Sequence, residues 1–514
     1  MTRKLFFTSI LITFSIICNA QFKDLANLSK GELKAFDILY KDNQVFGYFL
    51  LYDLGETSKT SKKFEYIVLD KNLNSTLNKE FETENFISTY SCYMNYKDEI
   101  VLNPYVNDDF SYRKSIIPKS KRISVKTNEI YDKQKQCYND NVFSDCPDNE
   151  TVKEKEKKTK EERKQKGFVY ESFVSELKYG GYFVSDYEDY EDYIKNNNLI
   201  RFDDNKKELW RLSYNKNGST KNYEYYKVLN LDSNYIYVMY VKVEKKEEKN
   251  YIIQIMDINS GKIVKEKTIN EFDNKTLKFL NKISFQYNLN NDQDFDDKFV
   301  ITSAIRSKLF KNLGYYRILI DKKTLEITIN SNTWENEVSK FIDVDKYGGV
   351  EKGYSLELRD VLFLKDGSIT YVTEKFKFGA NIATLLTNQL VAKNTDLVLI
   401  QTDKDFKIKG IKTLEKEKST YSISDYLFHQ YLNNKNDMVF YYKDYQKDEN
   451  KDKNWNLFIN TIIDGKFNQE KIQISSKKDK YAIIPYPAKD GYILLNEYNK
   501  KDKYNQIRLE KLNY

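Results

Sequence analysis

Residues 252–264, IIQIMDINSGKIV, hold the pattern that decides the fold of this chain. An apolar run at 252–256 leads into Asp257, and Ile263 and Val264 follow Gly261 and Lys262. Asp and Asn side chains bond their own backbone in turns, and Gly accepts the positive φ that a tight turn needs. Apolar runs on either side of such a turn predict a β-hairpin.

The same succession of strand, Asp-led turn and strand recurs along the chain. Further turns are predicted at Asp70, Asp321, Asp366, Asp403 and Asp464. From Asp257 onward the turns lie roughly 40 to 60 residues apart, and a four-stranded propeller blade occupies about 40 to 50 residues. The spacing predicts an all-β fold, a β-propeller of about six to eight four-stranded blades. The alternative is a pair of tandem β-sandwiches, which also use short alternating strands.

One segment departs from the strand pattern. Residues 150–166 are nearly all charged, and Glu154 and Lys158 are among the acid–base pairs spaced as on a helix. Phe173, Val174 and Leu177 then recur at helical spacing. We therefore predict a partly helical, charged insertion spanning about residues 139–197, within a propeller domain at 21–514. The strand predicted at 504–512 is expected to complete a blade begun near the mature N-terminus.

Residues 1–20 predict where the protein works. Arg3 and Lys4 precede an apolar run at 5–18, and small residues surround a cut before Gln21. This order is typical of a cleavable secretory signal peptide. The alternative, a retained membrane anchor, needs a longer apolar run. We expect a mature chain without a transmembrane segment, located in the periplasm, at the cell surface or outside the cell.

Three cysteines follow the leader, Cys92, Cys137 and Cys146. An exported chain meets an oxidising compartment, so Cys137 and Cys146 are candidates for a disulfide that closes a short loop. Cys92 is then expected to be a small buried side chain rather than a reactive thiol. No Cys-x-x-Cys pair occurs, which removes the usual zinc and redox spacings.

Charge and motif content exclude several classes of function. The net charge of +7 is spread over interleaved Lys and Glu, so no basic stripe predicts nucleic-acid binding. His429 is the only histidine, which rules out histidine-rich metal sites, and its apolar and aromatic neighbours favour a structural role. Nucleophile-elbow and phosphate-binding motifs are missing as well. Carboxylate chemistry remains open, because a glycoside hydrolase needs only two suitably placed acids.

Two stretches are candidates for binding. Tyr187, Tyr190 and Tyr193 alternate with acids, and exposed tyrosines of this kind suit a partner surface. The second stretch has oxygen ligands at alternate positions, as a calcium loop does: Asn290, Asp292, Asp294 and Asp296. It lacks the Gly and the closing Glu of a strong calcium loop, so a solvated turn is the simpler interpretation and no cofactor is expected.

The turn at residues 257–262 resembles those of quinoprotein-like and related bacterial propellers. The tryptophan that such repeats place after the turn is missing, so the resemblance implies no quinone cofactor. The chain is most similar to secreted bacterial β-propeller-like proteins of unknown function. The leader, the single histidine and the missing catalytic motifs favour an exported, non-enzymatic binding or scaffold protein that holds a protein or glycan on a propeller face. The alternative is a carboxylate-dependent glycoside hydrolase that acts on extracellular polysaccharide.

Overall fold

A computed structural model describes the fold over most of the chain. The described residues are 22–41, 44–95, 98–106, 120–133, 171–176, 181–187, 197–203, 207–214, 219, 221–245, 247–268, 292–295, 297–306, 311–379, 391–420, 424–432, 437–447, 453–463, 466–476, 480–499 and 504–513. They form β-strands joined by turns, with two short 3-10 helices at Val338–Lys340 and Glu351–Gly353. Over these residues, no helix has the length and apolar character needed to cross a membrane.

The strands fall into two compact units, which are described separately. The first unit comprises Met1–Lys135, Asp148–Val152 and Phe428–Tyr514, and the second comprises Gln136–Pro147 and Lys153–Leu427. The first strands of the chain, all in the first unit, are β1 (Phe22–Asp24), β2 (Glu32–Lys41), β3 (Gln44–Glu56), β4 (Ser61–Asp70), β5 (Ser75–Glu84), β6 (Ile87–Met94), β7 (Glu99–Val106), β8 (Ser120–Ser124) and β9 (Ile130–Lys133).

The second unit holds the middle of the chain. Its strands are β10 (Glu171–Glu176), β11 (Tyr182–Tyr187), β12 (Asn197–Phe202), β13 (Glu208–Ser213), β14 (Tyr223–Leu231), β15 (Tyr235–Glu244), β16 (Glu247–Asp257), β17 (Ile263–Thr268), β18 (Asp292–Asp294), β19 (Lys298–Arg306), β20 (Asn312–Asp321), β21 (Ile327–Thr333), β22 (Ser355–Phe363), β23 (Ile369–Gly379), β24 (Val391–Thr402), β25 (Ile408–Leu414) and β26 (Ser419–Thr420).

From Phe428, within strand β27, the chain belongs again to the first unit. The remaining strands are β27 (Tyr426–Tyr431), β28 (Met438–Lys447), β29 (Lys453–Ile463), β30 (Lys466–Gln473), β31 (Ser475–Ser476), β32 (Tyr481–Pro487), β33 (Tyr492–Asn499) and β34 (Tyr504–Lys511).

Consecutive strands pair with one another to make small antiparallel sheets. The sheets are β2–β5, β6–β9, β10–β13, β14–β17, β18–β21, β22–β25 with β26 beside β24, β27–β30, and β31–β34 with β1. Each is an up-and-down meander, and neither Greek-key crossovers nor shared strands link the described sheets as a β-sandwich requires. The fold is therefore the predicted all-β propeller, while the blade number of the whole chain stays a prediction.

The N-terminal strand completes the C-terminal sheet, as the sequence predicted. β1 pairs antiparallel with β34, so that Phe22 lies opposite Arg508 and Asp24 lies opposite Gln506. Asn505 also accepts a backbone hydrogen bond from Leu25. Pairing β1 with β34 joins early and late parts of the described chain in one sheet.

Alternating apolar residues on these strands pack between neighbouring sheets. In the second unit, Tyr315 of β20 stacks on Tyr371 of β23 with ring centroids 4.3 Å apart. Trp334, which is fully buried, packs edge-on against Tyr315 at 5.4 Å. Large aromatic side chains bury much apolar area with few rotatable bonds, which suits a fold built from thin sheets.

The Asp-led turns form with the chemistry that the sequence predicted. Asp70 Oδ1 accepts hydrogen bonds from the amides of Asn72 and Asn74, and Asp403 Oδ1 does the same for Asp405 and Lys407. In both turns the fourth residue has positive φ, and it is not glycine. Leu73 (φ 65°) and Phe406 (φ 67°) occupy this position with buried side chains. Packing of the side chain thus offsets the cost of a left-handed backbone.

Asp257 and Asp321 begin turns that are one residue longer. Asp257 Oδ1 accepts bonds from the amides of Asn259 and Ser260, and Asp321 Oδ1 from those of Lys323 and Thr324. The fifth residue takes the positive φ here, Gly261 (φ 68°) in one turn and Leu325 (φ 56°) in the other. The turn predicted at Asp464 lies outside the described residues.

Gly261 is constrained by the neighbouring Trp210 ring as well as by its positive φ. A Cβ at this position would lie 2.6 Å from the Trp210 ring, whose Nε1 donates to the Ile258 carbonyl at 3.1 Å. We expect Gly261→Ala to lower the free energy of unfolding by about 2–4 kcal/mol, because positive φ and the clash add. Gly353 has a similar φ of 71° with open space around it. Gly353→Ala is therefore the control in urea denaturation, and we expect it to lower the free energy of unfolding by about 1 kcal/mol. Equal losses of stability in the two variants would contradict the role of Trp210.

The Asp-led turns also predict acid sensitivity. The hydroxyl and amide of Ser260 lower the pKa of Asp257, and the amides of Thr324 and Lys323 lower the pKa of Asp321. The unfolded chain therefore binds more protons below pH 5, so both turns lose stabilisation as the pH falls from about 5 to 3. Denaturation at several pH values should show a smaller decline for the Asp257→Ala/Asp321→Ala variant than for the wild type. Parallel declines would contradict this assignment.

The predicted helical part of the insertion is wrong where the structure describes it. Glu171–Glu176, which includes Phe173 and Val174, is strand β10 and pairs with β11. The apolar spacing that suggested a helix is short enough to fit either structure, and pairing with β11 decides for the strand. The charged residues 150–166 lie outside the described part of the chain, so the insertion boundaries stay a prediction.

Candidate functional site

The sheet β22–β26 carries an irregularity at one level across two strands. Its register shifts between Leu358 and Asp360 of β22, and again between Glu374 and Phe376 of β23. Arg359 is the extra residue of β22, and at the second shift Thr395 and Asp396 of β24 stand opposite the single residue Lys375 of β23. Bulges of this kind redirect side chains and are frequent beside functional sites.

A cluster of four charged side chains lies buried at these bulges, formed by Arg359, Glu374, Lys416 and Asp425. Arg359 Nε donates to Glu374 Oε2 at 2.8 Å, and Lys416 Nζ donates to Asp425 Oδ2 at 2.6 Å. Lys416 Nζ also lies 3.5 Å from Glu374 Oε1. The side chains of Glu374 and Lys416 have no solvent exposure. Two positive and two negative groups therefore neutralise one another inside the protein.

Backbone and amide groups add to the buried charge cluster. The Asp425 amide donates to Glu374 Oε1 at 3.3 Å, and the Lys416 amide donates to Asp396 Oδ1 at 3.2 Å. Burial raises the pKa of Glu374, and the charges of Lys416 and Arg359 oppose this rise. Buried charges with this many partners hold their elements in a single arrangement.

A salt-bridged lysine lies at the solvent side of the cluster. Lys375 Nζ contacts Glu351 Oε1 at 2.6 Å and Asp396 Oδ2 at 3.0 Å. Burial lowers the pKa of Lys375, but the bonds to Glu351 and Asp396 outweigh it, so the pKa is raised and the lysine stays charged. The two salt bridges of Lys375 link β23 to β24 and to the 3-10 helix that precedes β22.

An exposed aromatic surface lies beside the buried charge cluster. Phe376 and Phe378 pack edge to face with centroids 4.8 Å apart, and the guanidinium of Arg359 lies 5.1 Å from the Phe376 ring. Phe378 is 64% exposed, the largest exposed fraction among the large apolar residues described. Lys377 Nζ lies 4.2 Å from the ring of Tyr354. We call Arg359, Phe376 and Phe378 the aromatic rim; Lys377 and Tyr354 contact each other on the opposite face of the sheet.

The backbone beside the aromatic rim is strained. Lys352 has φ 58°, and its carbonyl accepts a hydrogen bond from Lys377 Nζ at 2.9 Å. Non-glycine residues with positive φ persist where surrounding contacts hold them, and they cluster at binding and active sites. The rim is therefore held by the buried ion pair of Arg359 with Glu374, and this turn holds Lys377 on the opposite face of β23.

This arrangement suits binding better than catalysis. The carboxylates of Glu374 and Asp425 both contact Nζ of Lys416. Both carboxylates are buried in these ion pairs, so a polysaccharide does not reach them. Over the described part of the chain, no set of three or more His, Cys, Asp or Glu side chains is arranged to hold a metal ion. An exposed phenylalanine beside an arginine is, in contrast, the side-chain chemistry enriched in protein interfaces.

The binding residues predicted from sequence fall largely outside this region. Tyr187 ends strand β11, opposite Glu171 of β10. Asp292 and Asp294 belong to the short strand β18. The remaining predicted residues lie outside the described part of the chain: Cys137, Cys146, Tyr190, Tyr193, Asn290 and Asp296. The disulfide, the tyrosine surface and the calcium loop therefore stay predictions.

Cys92 and His429, which the sequence analysis also discussed, contact neighbouring residues of the fold. Cys92 is a free, half-buried thiol whose amide donates to Asp37 Oδ2 at 3.1 Å. Burial and the nearby Asp37 raise the pKa of Cys92, which favours the unreactive thiol form. His429 packs edge-on against Tyr431 at 5.4 Å.

Sequence reasoning missed the buried charge cluster and its rim. Arg359, Glu374, Lys416 and Asp425 are distant along the chain, and only the sheet register brings them together. One local signal was present: residues 374–379, EKFKFG, alternate lysine with phenylalanine along a strand. That alternation places basic side chains on one face and aromatic side chains on the other.

Solved structures that resemble this chain include two propeller domains and a protein of unknown function. The WD40 domain of SCAP from fission yeast is 8% identical, with a TM-score of 0.31 over 96% of this chain and 98% of that one. The β-propeller domain of the Trilobed protease from Pyrococcus furiosus is 9% identical, with a TM-score of 0.31 over 85% and 97%. A protein of unknown function from Dyadobacter fermentans is 8% identical, with a TM-score of 0.28 over 96% and 100%.

Sequence comparison gives a family match but no curated relative. A model of a family of unknown function, DUF6770, matches residues 1–424 and 420–513. No curated protein shows significant sequence similarity to this chain. The strand order of this chain supports its fold, and no activity is carried over from other proteins.

Proposed function

The chain belongs to the DUF6770 family of unknown function, and from that premise we propose that it is a non-enzymatic binding or scaffold protein that uses the aromatic rim. The observation that carries this proposal is Phe378, a large apolar side chain that is 64% exposed and packs against Phe376, whose ring lies 5.1 Å from the Arg359 guanidinium. Phenylalanine and arginine side chains with a rigid support are typical centres of protein interfaces.

The buried charge cluster supports the proposal because it fixes the rim before a partner binds. Arg359 is held by Glu374 from one side and lies against Phe376 on the other. A preorganised side chain loses little conformational entropy on binding, so more of its contact energy appears as affinity. We propose binding rather than glycoside hydrolysis, because the adjacent carboxylates of this cluster are buried in ion pairs.

We further propose that the protein works after export, in the periplasm, at the cell surface or outside the cell. The leader at residues 1–20 supports this location. The partner is then a protein or a glycan of the same compartment. Sequencing the N-terminus of the protein recovered from the host tests the leader, with cleavage before Gln21 expected.

The binding proposal is tested with Phe378→Ala and the control Phe341→Ala. Phe341 is 47% exposed in the same unit but lies on another segment. The mature protein and both variants are screened against a random peptide display library and a glycan array. We expect Phe378→Ala to weaken retained ligands by about tenfold or more, as for an interface hot spot, and Phe341→Ala to leave them unchanged.

Thermal unfolding decides whether a loss of binding comes from the surface itself. Removing an exposed ring should leave the unfolding midpoint of both variants close to that of the wild type. Ligands that bind equally well to Phe378→Ala and the wild type would overturn the aromatic rim as the binding site.

A further inference from the structure

We infer that Arg122 binds the anionic group of an acidic glycan, one whose sugar units carry a carboxylate. This is a second binding site, on the sheet β6–β9 of the first unit, and it does not depend on the aromatic rim. Two features carry it: a buried guanidinium group whose donors are unpaired, and the polar side chains that share its face of the sheet.

Arg122 of β8 is a buried cation with unused hydrogen-bond donors. The residue is only 8% exposed, and its Nε and Nη1 atoms are buried without a hydrogen-bond partner. Burying an unpaired charge is costly, so buried charges in folded proteins are usually paired or bound to an ion. A water molecule would satisfy an N–H group but would not neutralise the charge. An anion does both, and the planar guanidinium group matches the two oxygens of a carboxylate.

The acidic side chains close to Arg122 in the sheet are engaged elsewhere. Glu99 of β7 shares its face, since Glu99 lies opposite Ser124, two residues from Arg122. Glu99 Oε2 accepts a hydrogen bond from Asn95 Nδ2 at 2.9 Å, and its amide donates to Asn95 Oδ1 at 3.0 Å. Asp98, in the turn between β6 and β7, is paired with Lys41 at 2.5 Å. The charge of Arg122 is therefore left for a ligand.

Residues of β6 and β7 share one face of the sheet with Arg122. The register places Tyr93 opposite Val101 and Val101 opposite Arg122, so these three lie on the same side. Ser91 lies opposite Asn103, in the next row of that face. Ser91 and Asn103 are half-buried, and their hydroxyl and amide groups donate and accept hydrogen bonds.

Two exposed tyrosines border this face. Tyr93 is 49% exposed, and Tyr105, two residues beyond Asn103 on β7, is 57% exposed. Tyr105 is four residues along β7 from Val101, so the face extends about 14 Å along the strand, which is longer than one sugar ring. We call Ser91, Tyr93, Asn103, Tyr105 and Arg122 the Arg122 face.

The side chains of the Arg122 face favour a glycan over a protein. A protein interface has an apolar centre, whereas the apolar residue in these rows, Val101, is only 1% exposed. Tyrosine combines an apolar ring with a hydroxyl group, which matches the C–H faces and hydroxyl groups of sugars. The buried cation then selects a glycan that carries a carboxylate.

The test measures the binding of hexagalacturonate, its methyl ester, an alternating Glu–Ser peptide and inorganic sulfate by isothermal titration calorimetry. The proteins are the wild type, Arg122→Met, Tyr93→Ala/Tyr105→Ala and the control Arg508→Met. Arg508 lies in the same unit and is already paired, with Glu497 at 2.5 Å and with Glu510 at 2.7 Å. Thermal unfolding of each variant is recorded with and without ligand.

We expect the wild type to bind hexagalacturonate at least about tenfold more tightly than the methyl ester, the peptide or sulfate. Arg122→Met should weaken hexagalacturonate binding about tenfold or more and remove its advantage over the ester. Tyr93→Ala/Tyr105→Ala should also weaken it about tenfold, and Arg508→Met should leave it unchanged.

The unfolding midpoint without ligand gives an independent readout. Arg122→Met should raise the midpoint, because an unpaired buried charge is replaced by an apolar side chain of similar length. Arg508→Met should not raise it, because this arginine already has carboxylate partners. A purely structural role of Arg122 would instead make Arg122→Met less stable than the wild type.

Each contrary result has a defined meaning. Hexagalacturonate that binds Arg122→Met as tightly as the wild type overturns the site. A Glu–Ser peptide that binds more tightly than the glycan, with the same dependence on Arg122, overturns the glycan in favour of a protein. Sulfate that binds as tightly as hexagalacturonate overturns it in favour of a simple anion. No binding of any probe, or a lower midpoint for Arg122→Met without ligand, overturns the inference.

Discussion

Replacing Arg317 with Met should lower the free energy of unfolding by about 3–5 kcal/mol, because a buried charged group with several partners is lost. Arg317 is almost fully buried on β20, and its Nη1 donates to the carbonyls of Gly367 and Lys404 at 2.7 Å each. Nη2 donates to Asn330 Oδ1 at 2.9 Å. Methionine fills the space of the stem but leaves three acceptors without this donor, and the Gly367 carbonyl among them is buried.

The Arg317 side chain also fastens two turns of the next sheet. Gly367 belongs to the turn between β22 and β23, and Lys404 belongs to the turn between β24 and β25. The guanidinium stacks at 5.1 Å from Phe406, the residue with positive φ in the second turn. Loss of Arg317 should therefore loosen both turns together.

Arg211→Met is the matched control. Arg211 pairs with Glu208 on a solvent-exposed part of β13, and exposed ion pairs contribute about 0–1 kcal/mol. Urea denaturation followed by tryptophan fluorescence measures both variants. Equal losses for Arg317→Met and Arg211→Met would contradict the role of Arg317 as a link between neighbouring sheets.

Replacing Lys416 with Met should have a comparable effect, also about 3–5 kcal/mol, because it leaves buried carboxylates with too little positive charge. Lys416 is the only group that contacts both Glu374 and Asp425 through its side chain over the described residues. Without it, Arg359 alone faces two buried acids. We expect a lower unfolding midpoint and a rise in stability when the pH is lowered, since protonation then neutralises the acids.

A double variant separates lost charge from lost packing. Lys416→Met/Asp425→Leu removes both members of the ion pair, and replacement of a buried pair by apolar residues is often close to neutral. It should therefore recover much of the stability that Lys416→Met loses. Lys63→Met, which breaks an exposed pair with Glu80, is the surface control. Failure of the double variant to recover would show that the loss comes from packing and not from unbalanced charge.

Local turn chemistry explains why the fold could be predicted from the sequence. Asp70, Asp257, Asp321 and Asp403 each bind backbone amides within four residues, so the information that makes the hairpin lies in the hairpin itself. The alternation of β34 and its position at the end of the chain likewise predicted its pairing with the N-terminal strand. The buried Leu73 and Phe406 at positive φ were not predicted, because their cost is offset by contacts that only the folded chain supplies.

The candidate site could not be predicted, because its residues are joined by register and not by sequence. Glu374 meets Arg359 and Lys416 beside bulges in β22 and β24, each of which shifts the pairing by one residue. Lysine and glutamate are common throughout this chain, so residue type alone does not identify the four members of the buried charge cluster. The helix predicted at Phe173 and Val174 was wrong for a different reason. Their local apolar spacing fits a helix, but pairing with β11 makes this segment a strand.

Hydrogen–deuterium exchange with and without a bound peptide tests the central claim most directly, namely that the aromatic rim is the binding surface. The wild-type chain is compared with Phe378→Ala in the presence of the peptide that the display screen retains most strongly. We predict slower amide exchange at residues 374–379 and 391–396 of the wild type, and no such protection in the variant. Protection confined to other sheets, or protection that persists in Phe378→Ala, would contradict the account.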